Sequence, residues 1–384
     1  MNRNIKKQAG AIVLLLCIIV ITAFLYVYKN VPLRTAIYRS IAKQSVYLVS
    51  EKDTLYNFGY FGVRKLLVNR KDGSTTLLKE NSDFTHNCFV GHLIGRSGAI
   101  KGNFLYVAAR SYIGGRYKTD DKNYLKGELL IIRKSDMQTI KQIPMDYSMI
   151  EAKIHGNILA VTGLQGFNIY DISNPTTPRV IYSYRTDKTE EYQGCDFFEK
   201  GDSLYLAIAR FNAGLSIYRI NSSLVSKVMD IPIAGTPSSS GILQGGMHVF
   251  RLLVKYPYII ATLGPTKENI GSTKDNRGII VYNLTDLNNI KRQAVLVPKQ
   301  YYYSKVTGDP QPSHIATYRD KIYVNFCEKG VAVFTTPSSK NQARFLTVQN
   351  DFDNKMILPL YIDKKGMMYA GSFDNKDVYT HKLK

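Results

Sequence analysis

Tryptophan is absent from the 384-residue chain, and there are only four cysteines: Cys17, Cys88, Cys195 and Cys327. No CxxC pair and no zinc-ligand spacing occurs, which argues against a disulfide framework and a structural zinc site. The last three cysteines leave two alternatives, which are a single disulfide bond between two of them or three buried thiols. No HExxH, GxSxG or Gly-rich phosphate loop is present. The sequence therefore predicts no catalytic residue, no metal and no cofactor, although scattered residues could still build an active site.

Acidic residues are also scarce, with 30 Asp and Glu against 51 Lys and Arg and a formal net charge of +21. Such an excess suits an anionic neighbour, which would be a nucleic acid, a membrane surface or an acidic glycan. No arginine-rich helix or dense basic block accompanies it, so we expect no nucleic-acid partner. The alternative is that the basic residues are spread over a solvated surface.

A single long apolar run is present, AGAIVLLLCIIVITAFLYVY at residues 9–28. Its roughly 20 uncharged residues match the length that a helix needs to cross a bilayer. A cleaved signal peptide is the alternative, but it has a shorter apolar core and small residues before the cut. We therefore predict an uncleaved transmembrane signal anchor at 9–28, preceded by a short basic tail at 1–8.

The orientation of this anchor is inferred from the lengths of the segments on its two sides, because the numbers of basic residues on the two sides are nearly balanced. Only eight residues precede the run, whereas a long domain follows it, and long domains translocate largely regardless of charge. We expect a cytoplasmic tail and a single-pass membrane protein. The large domain would then be extracytoplasmic, either periplasmic or at the cell surface.

A polar turn followed by an apolar residue and tyrosine recurs along the chain, as in KGNFLYVAA, EKGDSLYLA and RDKIYVNF. The turns fall near residues 52, 102, 156, 201, 257, 320 and 365. Each turn separates two apolar runs, which predicts a hairpin, and a third run opening with glycine and a fourth run follow most hairpins. Seven such units predict an all-β fold, a seven-bladed β-propeller of four-stranded antiparallel blades over residues 45–384. A solenoid is the structural alternative.

The stretch GFNIYDISNPTTPRVI at residues 166–181 resembles the LVIVD-repeat family, whose units carry a Gly-apolar-apolar-apolar-Asp-Ile-Ser-Asn-Pro core. The stretch GIIVYNLTDLNNI at residues 278–290 is a weaker second copy. The resemblance implies a seven-bladed propeller in a surface or exported protein with an interaction role. It implies no catalytic residues.

The last unit has three apolar runs before the chain ends, so the ring needs a strand from elsewhere to complete it. We expect residues 29–44 to serve as a tether or as this ring-closing strand.

Polar residues from different units are predicted to meet at one mouth of the propeller channel, because they lie at the start of a first strand or the end of a second strand. These candidate ligand-binding residues are Arg110, Glu151, Asp196, Arg210, His248 and His314. The two arginines would fix an anionic group by fork-like hydrogen bonds, and the histidines and Glu151 would bind a metal or act as acid and base. The alternative is that these side chains hydrogen-bond the backbone or line a wet channel.

Two functions follow from this arrangement. The first is a membrane-anchored extracytoplasmic scaffold that binds a protein or glycan partner. The second is a hydrolase or lyase that uses the His/Glu/Arg residues at the channel mouth. An enzyme requires these groups within hydrogen-bond reach of each other, whereas a scaffold requires only an exposed patch.

Overall fold

A computed structural model describes residues 16–23, 44–83, 93–111, 127–186, 190–221, 224–233, 247–265, 278–296, 298, 312–349, 352, 355–372 and 375–384. Residues 16–23 form a short helix. Within the described ranges, no helix is both long and apolar enough to cross a membrane. The remainder of the predicted anchor, the basic tail at 1–8 and the predicted tether or closing strand up to residue 43 lie outside the described residues.

The described residues form seven antiparallel sheets, whose strands are numbered in chain order. The first blade contains β1 (Ser45–Glu51), β2 (Thr54–Gly59), β3 (Gly62–Val68) and β4 (Thr75–Asn81). The second contains β5 (Leu93–Lys101), β6 (Phe104–Ser111), β7 (Gly127–Arg133) and β8 (Thr139–Met145). The third contains β9 (Met149–His155), β10 (Ile158–Gly163), β11 (Gly166–Asp171) and β12 (Arg179–Arg185).

The remaining blades follow the same plan. The fourth contains β13 (Cys195–Lys200), β14 (Ser203–Ala209), β15 (Leu215–Asn221) and β16 (Leu224–Ile231). The fifth contains β17 (Met247–Lys255), β18 (Tyr258–Pro265), β19 (Gly278–Asn283) and β20 (Lys291–Leu296). The sixth contains β21 (His314–Tyr318), β22 (Lys321–Asn325), β23 (Val331–Thr335) and β24 (Phe345–Gln349), with a 3-10 turn at Cys327–Lys329. The seventh contains β25 (Ile357–Ile362), β26 (Met367–Ser372) and β27 (Val378–Lys382).

Strand order within each sheet follows chain order, so every blade is an antiparallel meander. The predicted seven-bladed propeller of four-stranded blades is confirmed, and the last blade has three strands among the described residues.

The core is divided into seven clusters of buried apolar residues, one between each pair of neighbouring blades. The cluster between the last and first blades joins Met367 and Tyr369 to Leu48, Leu55 and other residues of the first blade. Because buried apolar area is the main favourable term in folding, this seventh cluster closes the ring.

The third strands open with glycine because the fourth strand leaves no room for a side chain. A Cβ atom on Gly166 would lie 2.4 Å from the Tyr184 carbonyl oxygen, and one on Gly214 would lie 2.2 Å from the Ile231 carbonyl oxygen. Gly214 also has φ of +87°, which other residues rarely adopt.

The Asp-Ile-Ser-Asn-Pro stretch ends β11 and attaches its blade to the preceding one. Asp171 Oδ1 accepts the Ser173 N–H at 2.9 Å, and this bond turns the chain out of the sheet. The Tyr106 hydroxyl of the second blade then donates to the Pro175 carbonyl at 2.9 Å. The Asp-Ile-Ser-Asn-Pro turn therefore also forms an inter-blade contact.

The two sides of the ring differ. We call the side that carries the turns between first and second strands the hairpin face, and the opposite side, where first strands begin and second strands end, the mouth face. On the hairpin face, side chains of one blade bind the turns of the next. These ties are Lys65 to the Lys134 carbonyl, Lys101 to the Gly156 carbonyl, His155 to Glu199, Lys200 to the Thr285 carbonyl and Lys255 to the Arg319 carbonyl.

Candidate functional site at the channel mouth

The first strands of the blades surround the centre of the ring, where each contacts the first strand of the next blade. Several of them carry a β-bulge near the mouth face. In β5 the extra residue is Arg96, between Gly95 and Ser97, and in β17 the bulge lies between Val249 and Leu252. A bulge changes the direction of the side chain at that position. These strands thereby place Arg96 and Arg251 in the electrostatic environment of His314.

Glu151 and Arg251 form a buried ion pair between the third and fifth blades. Arg251 Nη1 lies 3.0 Å from Glu151 Oε2, and both residues are less than a tenth exposed. The same carboxylate oxygen accepts the Cys195 N–H of the fourth blade at 3.1 Å. A buried charge is tolerated when it is paired in this way, and the pairing ties three blades together at the channel.

Asp196 and Lys153 are partly buried on the inner strands β13 and β9. The Asp196 carboxylate accepts the Val254 N–H at 2.8 Å and its neighbouring Phe197 N–H at 3.1 Å. Burial raises the pKa of Asp196, while Lys153 opposes that rise. The pKa of Lys153 is raised by Tyr47 and by Asp196, while burial opposes the rise.

His314 is the neutral member of this group. It is 7% exposed, and its ring centroid lies 6.0 Å from that of Tyr47. Burial lowers its pKa well below the usual value, and the positive charges of Arg251 and Arg96 lower it further. Among the described residues, neither ring nitrogen has a partner in hydrogen-bond geometry, although the Leu358 backbone partly opposes the fall in pKa.

We call Tyr47, Arg96, Glu151, Lys153, Asp196, Arg251 and His314 the channel cluster. It contains the cationic side chains of Arg96, Lys153 and Arg251 and the carboxylates of Glu151 and Asp196. Cys195 borders the cluster, but burial raises the pKa of its thiol well above the usual value, which makes it a poor nucleophile. In the part of the chain that the structure describes, no three His, Cys, Asp or Glu side chains are arranged to hold a metal ion.

The other three predicted residues lie at mouth-face strand ends, outside this cluster. His248 is buried, and its ring stacks on Phe211 with 3.8 Å between centroids. Arg210 directly follows β14 of the fourth blade and is ion-paired to Glu190 at 3.1 Å and to Asp230 at 3.0 Å. Arg110 ends β6 opposite Ile94 and Gly127 and is partly buried.

The structure therefore brings together Glu151, Asp196 and His314 and does not bring Arg110, Arg210 or His248 into the channel cluster. Ligand binding by these six residues stays a prediction. Sequence analysis missed Tyr47, Arg96, Lys153 and Arg251. Of these, Lys153 had a signal, because it lies two residues after Glu151 on one strand and alternate residues share a face.

Comparisons with solved structures agree with the propeller architecture. The computationally designed protein Ika8 has 10% identity and a TM-score of 0.51, with 89% of this chain and 97% of that chain covered. The β-propeller domain of Myceliophteria thermophila Cps50 (Swd1) has 10% identity and a TM-score of 0.57 over the same shares. A chain of the mitotic checkpoint complex has 12% identity and a TM-score of 0.58, with 90% and 89% covered. At these identities the likeness concerns the fold alone.

Family comparison locates one repeat in the sequence. No curated protein matches the chain. The family model described as the LVIVD repeat matches residues 153–186, which run from β9 to the end of β12 and include the Asp-Ile-Ser-Asn-Pro turn. The third blade of this propeller is thus similar to an LVIVD repeat.

Proposed function

We propose that the chain is a membrane-anchored, extracytoplasmic β-propeller that acts as a binding scaffold for a protein or glycan partner at its mouth face. The observation that carries this proposal is the difference between the two faces. On the hairpin face, basic side chains are engaged with the turns of neighbouring blades, whereas the charged side chains of the channel cluster lie towards the mouth face.

The membrane anchor is supported by the apolar run at residues 9–28 and by its helical segment at 16–23. The side chains of Leu16, Ile18, Ile19, Val20 and Ile21 are all more than half exposed. A helix that is apolar all round and exposed to water is unfavourable, so a lipid environment would remove the cost of exposing it.

An anionic partner is favoured by the net charge of +21. Complementary charge speeds encounter and selects the partner more than it raises affinity.

A hydrolase or lyase at the same mouth finds less support. The Glu151 carboxylate is occupied by Arg251 and the Cys195 amide, so it is not poised to take a proton from a substrate. Arg210 is engaged by Glu190 and Asp230, and the His248 ring stacks on Phe211, so neither side chain is free to act on a substrate at the channel cluster.

Photo-crosslinking tests the proposed face with a matched pair of positions in the fourth blade. Asn212 is exposed on the mouth face, and Asp202 is exposed on the hairpin face of the same blade. A photoreactive residue placed at 212 in the full chain, in its native membrane, is expected to capture a discrete partner, and the same residue at 202 is not. Capture only from 202, or from neither position, would refute binding at the mouth face.

A further inference from the structure

We propose that the outer edge of the first blade is a membrane-contact surface, which lays its exposed leucines against the bilayer that holds the anchor. The surface consists of Leu67, Leu77, Leu78 and Lys79, on strands β3 and β4. This inference rests on the proposed membrane anchor and deepens it, since it names the side of the ring that faces the lipid. A ring that stands on this edge leaves its mouth face open to a partner.

The first ground is the concentration of exposed apolar side chains on this blade. Leu67 is 46% exposed, Leu77 45% and Leu78 49%. In the described part of the propeller, no other blade exposes more than two large apolar side chains in this way. Single exposed leucines are normal on a protein surface, whereas neighbouring ones indicate a contact surface.

The second ground is the local structure of β4, which is the edge strand of its sheet. A bulge at Leu78 interrupts the pairing with β3, and Leu77 and Leu78 are exposed in succession instead of alternating between two faces. The corresponding bulge residues of the next two blades, Ile140 and Ile181, are partly buried against core clusters. The first blade therefore exposes a side chain that the next two blades tuck against their cores.

The third ground is the charge beside these leucines. Lys79 follows them on β4, Lys71 lies in the turn between β3 and β4, and both are exposed. The next carboxylate along β4, Glu80, is ion-paired to Lys376 at 3.1 Å. Lysine ammonium groups attract anionic headgroups, while their aliphatic stems lie along apolar surface. Apolar and basic side chains together are typical of a surface that lies in the bilayer interface.

The fourth ground is the place of the first blade in the chain. Residues 29–44, sixteen in all, separate the predicted anchor from β1. Sixteen residues span at most about 55 Å when fully extended, so an anchored ring is confined close to the bilayer. Confinement raises the effective concentration of the ring at the lipid surface, so even a weak contact is populated. The first blade is joined directly to this segment, whereas the fourth blade lies across the ring.

Tryptophan fluorescence in vesicles tests the contact, because the chain has no tryptophan of its own. Leu77→Trp places one fluorophore on the membrane-contact surface. Leu224→Trp is the matched control, since Leu224 is 66% exposed on the outer strand β16 of the fourth blade. The full chain is reconstituted in vesicles of phosphatidylcholine and phosphatidylglycerol with brominated acyl chains. We expect bromine to quench the emission of Leu77→Trp at least roughly twofold more strongly than that of Leu224→Trp.

Equal quenching in the two variants, or stronger quenching in Leu224→Trp, would overturn the contact. Leu78→Trp, at an exposed position on the same strand, is the second reporter if Leu77→Trp folds poorly. Flotation of the same vesicles separates this inference from the anchor. A chain that floats with the vesicles but is not quenched at position 77 or 78 refutes the membrane-contact surface alone. A chain that does not float refutes the anchor, and this inference with it.

Discussion

The Arg70 guanidinium of the first blade is ion-paired to the Asp363 carboxylate of the last blade. Arg70 also bonds Asp53 at 2.8 Å within its own blade, and the Tyr369 hydroxyl donates to Asp363 at 3.1 Å. Asp363 is 7% exposed, so this contact is largely withdrawn from water. It joins the two ends of the ring on the hairpin face, beside the apolar cluster that closes it.

Breaking this pair is expected to destabilise the ring. Burial opposes ionisation of Asp363, but the Met367 N–H and Arg70 prevail and hold its pKa below the usual value. Arg70→Ala should cost about 2–4 kcal/mol in unfolding free energy, because it leaves a buried carboxylate without its cation. Denaturant unfolding at neutral pH measures this.

The control for this variant is Arg133→Ala. Arg133 pairs with Asp136 inside the second blade, where both side chains are substantially exposed, and such pairs contribute less than about 1 kcal/mol. Equal losses in the two variants would show that the inter-blade pair has no special role in closure.

The blades could be predicted from sequence because their signals are local. Turns that require a positive φ, as at Gly102 and Gly156, and glycines that leave room for the fourth strand recur in each unit. The seven repeats predicted the closed ring. The Arg70–Asp363 pair could not be predicted in this way, because it joins residues 293 positions apart and has no local sequence signal.

The channel cluster was predicted only in part, for a geometric reason. Glu151 and His314 lie where regular alternation on the first strands places them. Arg96 lies at a bulge in β5 and Arg251 at one in β17, and a bulge shifts the alternation by one residue. Which side chains of different blades meet then depends on how neighbouring blades pack, and no local sequence pattern encodes that packing.

Alanine substitutions of Arg210 and Arg110 are expected to distinguish an arginine that stabilises the fold from one that does not. Arg210→Ala should cost about 1–3 kcal/mol in unfolding free energy, since Glu190 and Asp230 lose their partner. Arg110→Ala should cost less than Arg210→Ala, because Arg110 is partly buried but has no ion pair among the described residues. Thermal melting of both variants checks the difference, and the reverse order would contradict the assignment.

Acid should weaken the fold through His314. Its pKa is depressed in the folded protein, so below about pH 6.5 the unfolded chain binds a proton that the folded chain does not. Stability therefore falls as the pH drops from this value towards the folded pKa, by up to about 1.4 kcal/mol per pH unit.

His314→Gln should flatten this acid limb of the stability profile, measured by denaturant unfolding across pH. His155→Gln is the control, because His155 is half-exposed on the hairpin face. An acid limb that is unchanged in His314→Gln would show that another group sets it.

Membrane attachment predicts a difference between two lengths of the chain. The full chain should require detergent, and a chain that begins at residue 29 should be soluble and rich in strand by circular dichroism. Protease added to intact cells or spheroplasts should reach the propeller. A full chain that stays in the aqueous phase would refute the anchor, and a protected propeller with an accessible amino terminus would reverse its orientation.

Photo-crosslinking from the two faces tests most directly whether the propeller binds its partner at the mouth face. We expect a photoreactive residue at position 212 on the mouth face to capture a discrete partner in the native membrane, and the same residue at position 202 on the hairpin face to capture none. Capture from position 202 alone, or from neither position, would contradict the account.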